Sequence, residues 1–190
     1  MRKTLTTLTA AAATTAALGM ATAAAATAQT APAAATAARA AAPAAAPQAA
    51  KGPGPFYWIV SVKTGKVVMS YNETKDVGAA MVQAVQGNLG AQHWKVNGSG
   101  TARQLENRNS HLCLAATGYN GLVRQYSCGT LDGSITWHAS NYDDMWAGNP
   151  ITWSSYFVGQ CLEAYGSTFR TADCNGTTAQ QFRLSYVPGT

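Results

Sequence analysis

Charge is scarce in this chain: only 11% of its 190 residues are Asp, Glu, Lys or Arg. The formal balance is +5, but most of that excess lies before Phe56. From Phe56 onward nine Lys and Arg face eight Asp and Glu. No basic stripe remains to attract nucleic acid or anionic lipid, so nucleic acid is set aside as a partner. Histidine is equally sparse. His93, His111 and His138 give no metal-ligand spacing, and no phosphate loop or nucleophile elbow accompanies them. The acidic pair Asp143-Asp144 is read as solvated loop charge, because adjacent carboxylates rarely converge on one bond. These absences exclude a recognisable enzyme, a metal site and a cofactor site.

Long apolar runs are missing too. Leu5 to Met20 is mostly Ala and Thr, too feebly apolar to hold a bilayer. With Arg2-Lys3 before it and Ala26-Thr27-Ala28 after it, it reads as a secretory signal peptide over residues 1–28. Residues 29–55 are Ala, Pro and Thr, a composition that cannot build a core and reads as a disordered linker. The folded part is expected over residues 56–190, one domain with a single core.

What that part contains is repetition. Gln92-His93-Trp94, Ile135-Thr136-Trp137 and Gln180-Gln181-Phe182 recur with 43 and then 45 residues between the aromatics. Self-similarity at that period marks a repeat architecture in which no unit buries its apolar face alone. Upstream, Val67-Val68-Met69-Ser70 aligns with Cys113-Leu114-Ala115-Ala116 and Cys161-Leu162-Glu163-Ala164. The stretches from Met81, Val123 and Phe169 align as well, giving repeats at about 57–97, 98–140 and 146–186.

Cysteine is absent from the first repeat. Cys113 and Cys128 sit fifteen residues apart in the second repeat, and Cys161 and Cys174 thirteen apart in the third, at matching positions. The first repeat has Val67 and Gln86 there, so both partners are lost together, as a bonded pair requires. With an export signal, disulfides Cys113–Cys128 and Cys161–Cys174 follow.

Short segments of strand character fall at Tyr57–Val62, Val67–Ser70, Met81–Val85, His93–Val96, Leu112–Ala115, Val123–Tyr126, Thr136–Ala139, Ser155–Val158 and Gln181–Leu184, with turn signals such as Asn120-Gly121 between them. No segment of the domain keeps a helical period over three turns, and the class is all-β. Gln92 and Trp94, like Gln180 and Phe182, are expected on one face of a strand. Trp94, Trp137 and Phe182 are the expected core aromatics, with the amide holding an adjoining loop.

The Cys-Leu-x-Ala strand, the apolar strand ending in Cys and the Gln-x-Trp about eight residues later resemble the ricin-type lectin repeat, over about residues 56–186. The resemblance implies a β-trefoil, six strands in a short barrel and six in a hairpin cap. It also implies sugar clefts, one per repeat, built from an acid after Cys-Leu, a polar residue and an aromatic before the second Cys, and a polar residue near Gln-x-Trp. The physics is a carboxylate for paired hydroxyls and a ring for the C–H face of a sugar.

Carried over, these positions are mostly eroded. The first repeat has Met69, Val82, Ala84 and Ala91 and looks dead. The second keeps Tyr126 as a stacking ring, with Ala115 for the acid and Ile135 for the Gln. The third keeps Glu163, with Arg170, Asn175 and Gln180, but has Ala172 for the ring. A bland alternative pairs Glu163 with Arg170 as surface charge. The expectation is a secreted, monomeric, non-catalytic module binding polysaccharide or cell-wall glycan weakly, mainly through the third repeat, and the resemblance implies a galactose- or xylose-type polysaccharide. The alternative is a module gripping an extracellular protein through loop Asn141–Pro150, where Tyr142 and Trp146 lie.

Overall fold

The computed structural model describes residues 56–190. The expected leader, 1–28, and linker, 29–55, lie outside the described residues. Twelve strands are present among them: β1 (Tyr57–Ser61), β2 (Val67–Ser70), β3 (Met81–Ala84), β4 (Trp94–Ser99), β5 (Ala102–Asn107), β6 (Leu112–Ala116), β7 (Val123–Ser127), β8 (Trp137–Ala139), β9 (Trp153–Ser155), β10 (Cys161–Tyr165), β11 (Thr168–Ala172) and β12 (Phe182–Tyr186). Each repeat supplies four.

Six of them form a barrel. β12 pairs β1, β1 pairs β4, and the ladder continues through β5 and β8 to β9, all antiparallel. A bridge between Ile151 and Phe182 closes the ring. The other six are hairpins, β2–β3, β6–β7 and β10–β11, which touch one another through Thr168–Val82, Ala80–Arg124 and Leu122–Arg170. This is the β-trefoil, and closure removes the exposed edges that an open sheet would leave.

Alternation explains why these segments are strands. β1 turns Tyr57, Ile59 and Ser61 inward, and β5 turns Arg103, Leu105 and Asn107 inward. Trp94, Trp137 and Phe182 are fully buried in one cluster with Ile59, Leu105, Leu114, Leu162 and Leu184. The indole N–H of Trp94 donates to Val68 O (3.0 Å) and that of Trp137 to Leu114 O (2.9 Å), tying each barrel strand to its own hairpin. Phe182 has no such donor.

β5, β10 and β11 are missing from the expected set, while Ser155–Val158 is mostly turn and the strand there is β9. In β10 the first four residues are all buried, so a hairpin covered on both faces shows no period of two. The shared-face expectation for the Gln-x-Trp phrase also fails. Gln92 and Gln180 each end a 3-10 turn, Gly90–Gln92 and Thr178–Gln180, and the strand starts only at Trp94 or Phe182.

The disulfides Cys113–Cys128 and Cys161–Cys174 are formed and bracket the β6–β7 and β10–β11 hairpins. Between the second and third repeats, Gln160 donates to Asp173 Oδ1 (2.8 Å) and to Asn120 Oδ1 (3.1 Å), and accepts from Asn120 N–H (2.7 Å). Tyr119 O–H adds a bond to Asp173 (3.0 Å), and these donors hold the Asp173 carboxyl below its usual range. A one-and-a-half-turn helix, α1 (Tyr142–Ala147), joins the second repeat to the third, between β8 and β9. Asn141 caps it by accepting from Asp143 N–H and Asp144 N–H. Asp143 and Asp144 therefore lie in a first helical turn, where carboxylates are favoured. No helix among the described residues is long and apolar enough to cross a membrane.

His93 gives this fold a pH dependence. It is buried beside Trp58, ring centroids 5.5 Å apart, and its Nδ1 lies 3.4 Å from Arg108 Nη1. Burial first, and the Arg108 charge second, lower its pKa from 6.5, outweighing the opposite pull of the Gly87 carbonyl. A depressed folded value means that the unfolded chain takes up its proton first as pH falls. The contribution of neutral His93 is full above about 6.5 and declines as pH falls toward the folded value. Urea midpoints followed downward from neutral pH should fall less steeply for His93→Gln than for the parent. Parallel curves would remove His93 from this role.

Candidate functional site

In the third repeat, Glu163 on β10 lies directly across from Arg170 on β11. Arg170 Nε and Nη2 both donate to Glu163 Oε1, at 2.9 and 2.7 Å. Gln180 Nε2 donates to Oε2 at 3.1 Å, so both carboxylate oxygens are engaged. The Glu163 side chain is 11% exposed, and the Arg170 guanidinium lies 3.9 Å over the Tyr165 ring. Such a pair is held by packing as well as charge, which separates it from a loose surface ion pair.

Gln180 is itself fully used. Its Nε2 also donates to Asp173 O (2.8 Å), and its Oε1 accepts from Asn175 N–H (2.8 Å). The Asn175 side chain turns back on its own loop, accepting from Thr177 N–H and O–H. Gln92 repeats the clamp in the first lobe, accepting from Gly87 N–H (2.7 Å) and donating to Val85 O (2.9 Å). There Met69 stands where the third lobe has Glu163. The glutamine fastens the loop ahead of the barrel aromatic whether or not an acid is present. In the second lobe Ile135 takes its place and packs with Cys113, Ala115, Tyr126 and Cys128.

Glu163, Arg170, Gln180 and the backbone of Asn175 are thus brought together, but as a closed network. Tyr126 belongs elsewhere, on β7 of the second lobe. It is half-buried and lines a cleft of about 230 Å³ with Thr117, Thr130, Asp132, Ser134 and Phe157. Asp132 accepts from Ser134 N–H (2.9 Å). The Ser134 hydroxyl and amide hold its carboxyl below the usual range, so it is ionised at neutral pH. Here a ring, a carboxylate and hydroxyls face one space, and among the described residues no cation pairs with the carboxylate.

A second cleft of about 420 Å³ adjoins the first and shares Thr130 and Asp132 with it; its far wall carries His138 and Tyr156. The loop between the two clefts is fixed by Gly133, with φ +79°, where a Cβ would lie 2.7 Å from the Tyr156 ring. Sequence reasoning missed Asp132, Thr117 and Phe157, which come from three separate loops. Ser134 was within reach, because it fills the polar position ahead of Ile135-Thr136-Trp137. Among the described residues no three of His, Cys, Asp and Glu gather as a metal site would need.

Residues 46–126 match the family model described as ricin-type beta-trefoil lectin domain-like. Among solved structures, the chain is similar to a designed threefold-symmetric protein, ThreeFoil (21% identity, TM-score 0.62, 70% of this chain and 100% of that one). It is similar to an exo-beta-1,3-galactanase from Clostridium thermocellum at 21% identity and TM-score 0.60, over 70% of this chain and only 30% of that one. The C-half of the earthworm R-type lectin, in complex with GalNAc, is matched at 14% identity and TM-score 0.55, over 69% and 98% of the two chains. At these identities the structural likeness speaks for the fold. No curated protein matches the sequence.

Proposed function

We propose that this ricin-type, lectin-like β-trefoil is a secreted, non-catalytic module that binds a neutral polysaccharide, galactose- or xylose-type, through the second repeat. The observation that carries the reading is the Tyr126 cleft. A half-buried ring offers a stacking face, while Asp132, Ser134 and Thr117 offer acceptors and donors for hydroxyls. The adjoining cleft across Asp132 favours a chain of sugars over a single one. The disulfides and the lectin-like family are consistent with an extracellular setting.

The third repeat is the weaker candidate. A sugar hydroxyl there competes for Glu163 with Arg170 and Gln180, which already engage both carboxylate oxygens, and breaking the charge-assisted pair is costly. The protein-partner alternative through Asn141–Pro150 also loses ground, because that loop folds into α1 and its two aromatics flank Arg103.

A glycan array followed by affinity electrophoresis in soluble galactan and xylan tests the proposal. Tyr126→Ala should weaken retention about ten-fold, the loss expected from a stacking contact, while Glu163→Gln leaves it nearly unchanged. The reverse pattern would move the site to the third repeat. No retention on any glycan would favour a protein partner.

A further inference from the structure

Arg103 stands on the inward face of β5 and is only 5% exposed. Its guanidinium carbon lies 5.4 Å from the ring centre of Tyr142 and 5.5 Å from that of Trp146, both on α1. One Nη donates to the Gly98 carbonyl, and Nε is buried without a hydrogen-bond partner. The ion pairs among the described residues are His111–Glu106 and Arg170–Glu163, so no carboxylate lies within pairing distance of Arg103. Asp143 and Asp144 share α1, but their backbone N–H groups serve its cap, the Asp144 carboxylate accepts from Asn149, and neither carboxylate is within ion-pair distance of Arg103.

A guanidinium cannot shed its proton in a protein, so burying one without a counter-charge is expensive. Cation–π contact offsets part of that cost and leaves the hydrogen-bonding edge unused. A cleft of about 520 Å³ lies against this residue, walled by Val96, Ser99 and Gly100 on one side and Tyr142 and Trp146 on the other. Tyr142 is 45% exposed, an accessible ring beside a buried cation.

We propose that the cleft around Arg103, Tyr142 and Trp146 is a second carbohydrate site, selective for a sugar that carries a carboxylate, a uronic or sialic acid. The two carboxylate oxygens meet the free edge of Arg103, and the C–H face of the sugar lies on Tyr142. An anionic ligand supplies the charge that the protein withholds, and the aromatic wall distinguishes a sugar acid from a bare anion. The site is separate from the Tyr126 cleft in residues, lobe and chemistry, and it does not rest on the reading given to that cleft.

Calorimetry of the full chain with trigalacturonate, 3′-sialyllactose and lactose tests it, and the two acidic probes separate the two sources of carboxylate. At least one acidic sugar should bind. Arg103→Lys and Tyr142→Ala should each weaken that binding about ten-fold, with Tyr126→Ala without effect. Lactose, if bound, should be indifferent to Arg103→Lys. Tyr142 is half-exposed, so its variant reports even if Arg103→Lys fails to fold. Failure of both acidic sugars to bind would overturn the proposal. So would binding insensitive to Tyr142→Ala, or binding lost with Tyr126→Ala. Loss of neutral-glycan binding by Tyr126→Ala, with the acidic sugar retained, keeps the two sites distinct.

Discussion

Trp137→Ala is expected to destabilise the domain by about 4 kcal/mol, within the range for emptying a buried aromatic site. Trp137 is fully buried, and Leu105, Leu114 and Trp153 of the same core cluster belong to other strands that cannot collapse inward without breaking ladders. A second cost comes from its indole N–H, which satisfies Leu114 O across the barrel–hairpin junction. Small domains hold only about 5–15 kcal/mol in total, so the variant should be near unfolding. Trp137→Phe removes the hydrogen bond while keeping most of the aromatic volume. It should cost about 1–2 kcal/mol, since the third lobe already places a phenylalanine, Phe182, at the matching position. Urea unfolding of both variants measures this. A Trp137→Ala midpoint equal to that of Trp137→Phe would show that the site collapses and that the threefold core is not rigid.

Reduction of both disulfides is expected to have the larger effect. Cys113–Cys128 and Cys161–Cys174 close loops of 15 and 13 residues, each contributing about 3 kcal/mol by the loop-entropy model. They sit in different lobes and brace different hairpins, so their contributions should roughly add. The sum is comparable with the whole stability of such a domain, and the reduced chain should be largely unfolded under conditions where the oxidised chain is native. Urea curves with and without reductant give the difference, and alkylation with mass analysis confirms that both bonds opened. A shift below about 1 kcal/mol would mean that the reduced chain keeps its hairpins closed without covalent help. The β2–β3 hairpin makes that outcome conceivable, because it closes with Val67 and Gln86 where the others have cysteine.

The three lobes share one architecture but carry different residues at their candidate site positions. The repeat alignment gives Glu163 the acidic position after Cys-Leu, and in the structure it faces Arg170 across the hairpin. What the alignment could not carry is that Arg170 and Gln180 both turn onto that carboxylate. Their spacing in sequence is the same whether they point at it or away. Tyr126 gains its polar company from Asp132 and Thr117, on loops whose lengths differ between repeats and so drop out of any alignment. Arg103 is further from reach. It looks like an ordinary strand residue until α1, some forty residues later, lays Tyr142 and Trp146 over it.

The sequence by itself determined the trefoil, its threefold period, its core aromatics and the pairing of its cysteines. The period, the core aromatics and the cysteine pairing follow from residue types recurring at fixed intervals, and the trefoil from the resemblance of those repeats to the ricin-type lectin repeat; recurrence survives in one dimension because every lobe must bury the same face. Only the tertiary structure decided which polar groups are spent and which are free. Whether a carboxylate already holds a partner, or a buried guanidinium lacks one, depends on side chains that meet from separate loops and lobes. Satisfaction of charge is a property of three-dimensional neighbours, and here it closes the third lobe while leaving the Tyr126 and Arg103 clefts open.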